Sequence, residues 1–204
     1  MTDELTLSAL IASRICHDLI SPIGAINNGL ELLAMTNGVA GGEEISLIST
    51  SAASAADSLR FMRIAFGAAS ETEMISAGEI AAITAAHIGT KRLSVEWIAD
   101  QRDLSRATAK LILLMTLTTA SAAPLGGAMT IADNSDGGFA FAIAISGQKI
   151  TLSAEAAVAL KGTADLDEME PRYAAFALLA LVATSANYEI DWRVSDEVGR
   201  LTLR

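Results

Sequence analysis

With 204 residues, 51% of them hydrophobic and only 4% aromatic, the chain is long enough for one large or two small domains with a core that needs neither disulfides nor metal. Its alanine-, leucine- and isoleucine-rich composition favours helices packed closely through small side chains. The formal net charge of -10 argues against a nucleic-acid partner, which requires a basic surface. The single cysteine, Cys16, has no partner for an intramolecular disulfide and reads as a small packing residue; with no secretory leader visible, a cytoplasmic location is expected.

The first predicted element is a long helix from about Asp3 to Thr36. At 3.6 residues per turn, Ile15, Leu19, Ile26, Leu30 and Leu33 fall on one side, flanked by Ala12 and Ile23, and form the expected buried stripe. His17 projects from the opposite side, together with Ser13, Ser21, Gly24, Asn28 and Glu31. An exposed imidazole beside a carboxylate suits phosphoryl transfer through a ring nitrogen. A partner can reach the ring, and Asp18 can hold the proton on one nitrogen while the other attacks phosphorus. The plain alternative is a surface histidine beside an unrelated aspartate. Pro22 lies within the helix just beyond this pair and predicts a kink.

Asn37, Gly38, Gly41 and Gly42 predict a turn, and Glu43 and Glu44 suit the start of a second helix. In that helix Ile45, Ile48, Ala52, Ala55, Leu59, Met62 and Phe66 alternate spacings of three and four, a coiled-coil seam. A hairpin with stripes this long leaves apolar surface wet, so two chains are expected to build a four-helix bundle; cover by the rest of the same chain is the alternative. The segment Gly67 to Met74 reads as a junction, which gives a dimerisation hairpin at residues 1–68 and a second domain at 75–204.

Ser76 and Glu79 predict a capping box for a helix to about Thr90, in which His87 reads as a satisfied, partly buried side chain. Leu93, Val95 and Trp97 alternate as a strand, and Asp103 is a candidate cap for a long helix to about Ala122. The charge-free stretch Leu111 to Ala132 is broken by Pro124, Gly126 and Gly127, so a buried helix, a turn and a strand are expected there, with no membrane span. Strands at Ala128 to Ala132 and Gly138 to Ser146 flank a turn at Asp133 to Gly137. Helices near Ser153 to Lys161 and Pro171 to Ala186 follow, and then a hairpin containing Tyr188 to Val194, a turn at Asp196-Glu197, and Leu201 and Leu203. The order predicts a sheet covered by helices, an α/β sandwich, so the whole chain reads as α + α/β.

The run His17-Asp18-Leu19-Ile20-Ser21-Pro22 resembles the H-box of sensor histidine kinases, in which His, an acidic residue, Leu and Pro occupy these positions. Pro124-Leu125-Gly126-Gly127 resembles the Pro-x-Gly-Gly that follows the long helix of the kinase ATP-binding domain. That domain holds magnesium through asparagines of the long helix. The corresponding positions here are Leu114 and Thr118, and no asparagine occurs between Asp103 and Asp133. Where the kinases carry Asp-x-Gly-x-Gly after a central strand, this chain reads Ser146-Gly147-Gln148-Lys149-Ile150; Asp136-Gly137-Gly138 lies before the strand and is a poor substitute. The second domain is therefore expected to be a degenerate kinase-ATPase-like sandwich that binds no ATP, and no metal or cofactor site is expected in this chain.

Along Arg14 to Leu33 the chain is similar to the ChpT-type histidine phosphotransferases of alphaproteobacterial phosphorelays. The resemblance implies a dimer that passes a phosphoryl group from the receiver of a hybrid histidine kinase to His17, and on to response regulators of the CtrA and CpdR kind, with Mg2+ supplied by the receiver. Asp18 would orient the ring. Arg14 either touches the phosphoryl oxygens or is a solvated surface arginine, and Gly24, Asn28 and Glu31 would form a docking strip. Ser21 could position water if the protein also acted as a phosphatase. The alternatives are a non-catalytic dimeric interaction module and, after it, a divergent autophosphorylating kinase.

Overall fold

The computed structural model describes residues 3–35, 42–134, 137–195 and 197–204. Helix α1, Asp3–Met35, and helix α2, Gly42–Ala65, form a hairpin; the turn expected at Asn37 to Gly41 lies outside the described residues. Helix α1 runs through Pro22 as one helix of 33 residues. Because proline has no N–H, the Asp18 carbonyl one turn earlier loses its helical donor, so the helix is locally looser beside the histidine. At Gly29 the two helices approach closely, and an added Cβ would stand 2.6 Å from Ile48 Cγ1.

The expected apolar stripes are only partly covered within one chain. Ile15, Leu19, Ile26 and Leu33 are half-buried, but Ile23 and Leu30 remain 48% and 50% exposed. On α2 the seam divides: Ile48, Ala55, Met62 and Phe66 turn inward, whereas Ile45, Ala52 and Leu59 face out. Two helices can cover each other along one seam only, and the other half of each stripe needs a further layer.

The remaining elements are β1 (Met74–Ser76), α3 (Ala77–Ile88), β2 (Leu93–Trp97), β3 (Asp103–Ser105), α4 (Arg106–Ala120), β4 (Gly127–Asp133), β5 (Phe141–Ser146), α5 (Ala154–Leu160), a 3-10 turn (Pro171–Tyr173), α6 (Ala174–Ser185), β6 (Ile190–Ser195) and β7 (Val198–Leu203). Five strands form a sheet of order β2-β4-β5-β7-β6, with β2 and β4 parallel and the other pairs antiparallel. Met129, Ile131, Ile143, Ile145, Leu201 and Leu203 point from the sheet into a core that α4 fills with Leu111 to Met115. This is the expected α/β layer, and Leu111 to Ala132 forms the expected buried helix, turn and strand. Among the described residues, α1 is the helix long and apolar enough to cross a membrane by length and composition.

Three local expectations are corrected. Asp103 does not cap α4: residues 103–105 pair with β1 as a two-stranded ladder, and Ser105 is the cap, accepting from the Thr108 N–H. Strand β5 begins at Phe141 rather than Gly138, because Gly137 and Gly138 both adopt positive φ and turn the chain before the strand starts. Cys16 is exposed in the single chain and does not pack. At the capping box Ser76 Oγ accepts from the Glu79 N–H, as expected. The turns expected at Asp133 to Gly137 and Asp196-Glu197 each include residues outside those described.

Two cations of α4 clasp the segment after α2. Lys110 Nζ donates to the Gly67 carbonyl at 2.8 Å, and burial lowers its pKa. Arg106 donates to the Ala68 carbonyl at 3.2 Å and pairs with Glu73 at 2.6 Å. Leu7, Phe61 and Ile64 of the hairpin share one core with the sheet and its helices, so the hairpin is fixed against the rest of the chain.

Candidate functional site

His17 stands on the outer face of α1 with 84% of its side chain exposed. Its Nδ1 lies 3.0 Å from Asp18 Oδ1. An ionised carboxylate only accepts hydrogen bonds, so in the neutral ring this contact favours the proton on Nδ1 and leaves Nε2 as the nitrogen open to a partner. Asp18 is only 19% exposed, and its other oxygen, Oδ2, accepts from Arg14 Nε at 2.7 Å. Arg14 is thus engaged with Asp18 rather than free on the surface. It is 23% exposed, and its Nη1 also donates to the Arg172 carbonyl at 3.2 Å.

Ser21, Asn28 and Glu31 are exposed along the same helix, and a Cβ at Gly24 would meet nothing within 4 Å. The residues expected to form a strip thus lie on accessible surface between His17 and the tip of the hairpin.

The sequence reading missed Arg172 and Tyr173. The turn Pro171–Tyr173 brings them against α1, with the Arg172 guanidinium 4.9 Å from the Tyr173 ring centre and 2.8 Å from Glu170. With Arg14, Ser153 and Phe176 they line a cleft of about 300 Å³ between the hairpin and the second half. A contact made by a main-chain carbonyl across 158 positions leaves no sequence signal.

A family model described as "Histidine phosphotransferase C-terminal domain" matches residues 77–198. The protein phosphotransferase ChpT of Brucella abortus (strain 2308) is 38% identical over 148 residues, covering 72% of this chain and 70% of that protein. The chain belongs to the ChpT-type histidine phosphotransferases. A solved structure described as that of a bacterial phosphotransferase is 32% identical and superposes with a TM-score of 0.84, over 100% of this chain and 98% of that one.

In this histidine phosphotransferase the kinase-like glycine pair serves the backbone. Gly126 and Gly127 adopt φ of 88° and 153°, and an added Cβ would lie 2.1 Å from the Arg92 carbonyl oxygen and 1.9 Å from that of Ser146. The pair therefore lets β4 enter between its two neighbouring strands. Leu114 is fully buried. The Thr118 hydroxyl donates back to the Leu114 and Met115 carbonyls of its own helix at 2.9 and 3.0 Å. After β5 the chain folds onto the end of α4, with Thr151 N–H donating to the Ala122 carbonyl at 2.9 Å.

The second histidine is built into the packing. His87 Nδ1 lies 3.1 Å from Ser58 Oγ, and its ring centre is 4.3 Å from that of Phe61. Burial lowers its pKa; the Asp18 and Asp57 charges oppose that shift and Arg14 reinforces it. Because the folded-state pKa lies below the ordinary value of 6.5, the unfolded chain binds more protons, so His87's stability contribution is intact above that value and is lost as pH falls through the lower folded one. His87→Gln keeps a polar group beside Ser58 and removes this titration. Between about pH 7 and about pH 5 its urea midpoint should decline less than that of the parent protein; an equal decline would assign the acid sensitivity to other groups.

Proposed function

We propose that this histidine phosphotransferase relays a phosphoryl group between receiver-domain aspartates through His17, without using ATP. The observation that carries the reading is the free outer face of Nε2 on an 84% exposed ring whose Nδ1 is bound to Asp18. A receiver's aspartyl phosphate is a mixed anhydride. The Nε2 lone pair attacks its phosphorus in line, the N–P bond forms, and the P–O bond breaks to release the receiver's aspartate carboxylate. Nδ1 keeps its proton, so the ring becomes cationic and the Asp18 carboxylate stabilises that charge. The reverse sequence delivers the phosphoryl group to a second receiver, and Mg2+ belongs to the receiver at both steps. A receiver from a hybrid kinase as donor and regulators of the CtrA and CpdR kind as acceptors fit this chemistry, with Ser21, Gly24, Asn28 and Glu31 as docking surface.

The absence of nucleotide chemistry is supported by Leu114 and Thr118, which offer no ligand where the kinases hold magnesium, and by the segment after β5 lying against the end of α4. A cytoplasmic location away from membranes belongs to the same proposal; α1 packs on α2 along one side and on the turn at Pro171. The test is acid-labile labelling of the protein by phosphorylated receivers and by ATP alone. Label from receivers only is expected. Label from ATP alone would make the protein a kinase, and receiver binding with no label would make it an interaction module.

We also propose a homodimer closed through the uncovered half of each stripe, where Ile23, Leu30, Ile45 and Leu59 are each about half exposed. Fully burying a side chain of this size stabilises by about 1.5 to 3 kcal/mol, and covering its exposed half contributes about half of that, so Leu30→Asp combined with Leu59→Asp should shift the sedimentation equilibrium from dimer to monomer. A parent protein that sediments as a monomer would overturn the dimer without touching the transfer chemistry.

A further inference from the structure

Arg14 occupies a position that the transfer reaction alone does not explain. Its guanidinium binds Asp18 Oδ2 through Nε at 2.7 Å and the Arg172 main-chain carbonyl through Nη1 at 3.2 Å, while Asp18 Oδ1 holds His17 Nδ1 at 3.0 Å. These contacts form one chain of hydrogen bonds from the second half of the protein to the phosphoacceptor ring. The exposed imidazole has no packing of its own to fix its rotamer. Among the described residues Asp18 is the side chain that bonds it, and a carboxylate is free to turn unless its second oxygen is held.

We propose that Arg14 is a positioning residue, and that the turn Pro171–Tyr173 is the second half's contribution to transfer: a brace that sets the Asp18 carboxylate and, through it, the tautomer and orientation of His17. Guanidinium suits the task because its planar fork binds a carboxylate and a carbonyl at the same time in fixed directions, whereas a lysine ammonium is a point charge on a flexible stem. The Arg172 side chain turns away onto Tyr173 and Glu170, so its carbonyl is the group presented to Arg14. The proposal gives the sheet-bearing half a function that needs no nucleotide. It rests on the reading of His17 as phosphoacceptor, but its first readout does not.

The experiment uses the whole 204-residue chain. Nitrogen-15 spectra of the His17 ring report the tautomer directly, and single-turnover transfer from a phosphorylated receiver reports the rate. The parent should show mainly the Nδ1–H tautomer, and Arg14→Met a mixture of the two. Transfer should fall about ten- to a hundredfold with receiver affinity unchanged, because misplacement on the ångström scale costs rate. Arg14→Lys should recover less than half of that loss on a logarithmic scale. In an Asp18→Ala background, Arg14→Met should change the rate less than about twofold, since a residue acting through the Asp18 carboxylate has nothing left to position.

Unchanged tautomer and rate in Arg14→Met would overturn the proposal, as would full additivity of the two substitutions or complete rescue by lysine. If the tautomer shifts as expected but the parent accepts phosphate from no receiver, the positioning role stands and the transfer reading fails.

Discussion

His17→Ala should accept no phosphoryl group from any receiver, a loss of at least about a thousandfold that leaves only background transfer. The size of the effect follows from the lack of a substitute. The other imidazole in the chain, His87, is partly buried, with Nδ1 3.1 Å from Ser58 Oγ and its ring tilted against that of Phe61. Cys16, exposed beside His17, is a thiol and cannot give the acid-labile phosphoramidate that the label detects. Because the His17 side chain is 84% exposed, its removal should leave the fold and receiver affinity nearly unchanged. Phosphate entry is measured by acid-labile label and affinity by calorimetry. Retained label would place the acceptor elsewhere, and loss of both label and affinity would mean that the substitution disrupts docking rather than chemistry.

Asp18→Asn should slow transfer by about a hundred- to a thousandfold while the protein stays folded. The amide has nearly the same shape as the carboxylate, yet it carries no charge to balance the cationic phosphohistidine. Its NH2 group can donate to Nδ1, which favours the tautomer with the proton on Nε2, where the lone pair is needed. The charge-assisted bond from Arg14 Nε weakens at the same time. Single-turnover rates with a saturating donor check this, and a rate within about threefold of the parent would remove Asp18 from the mechanism.

The two levels of structure differed in how far they could be read ahead. The long helical hairpin and the helix-covered sheet that follows it were legible because helical period, strand alternation and glycine punctuation are local properties. Asp103 misled because a carboxylate before a helix is a good cap in isolation; the chain instead uses residues 103–105 to pair with β1 and gives the cap to Ser105. The ion pair of Arg14 with Asp18 was missed although their spacing of four carries its signal, and the second anchor of Arg14 left no signal, because the Arg172 carbonyl is main chain and arrives only through the packing of the turn at Pro171. Gly126 and Gly127 show the opposite case: a pattern that resembles a nucleotide-binding element is explained by two carbonyl oxygens, those of Arg92 and Ser146, that leave no room for a Cβ.

The most direct test of the account is a two-receiver chase. The purified protein takes label from one phosphorylated receiver, excess donor is removed, and a second, unphosphorylated receiver is added in the presence of Mg2+ and with no nucleotide. Label should first appear on His17 by fragmentation mass spectrometry and then leave it for the second receiver at a matching rate, while His17→Ala carries none. Label that reaches the second receiver through His17→Ala, or that stays on His17 until ATP is added, would contradict the account.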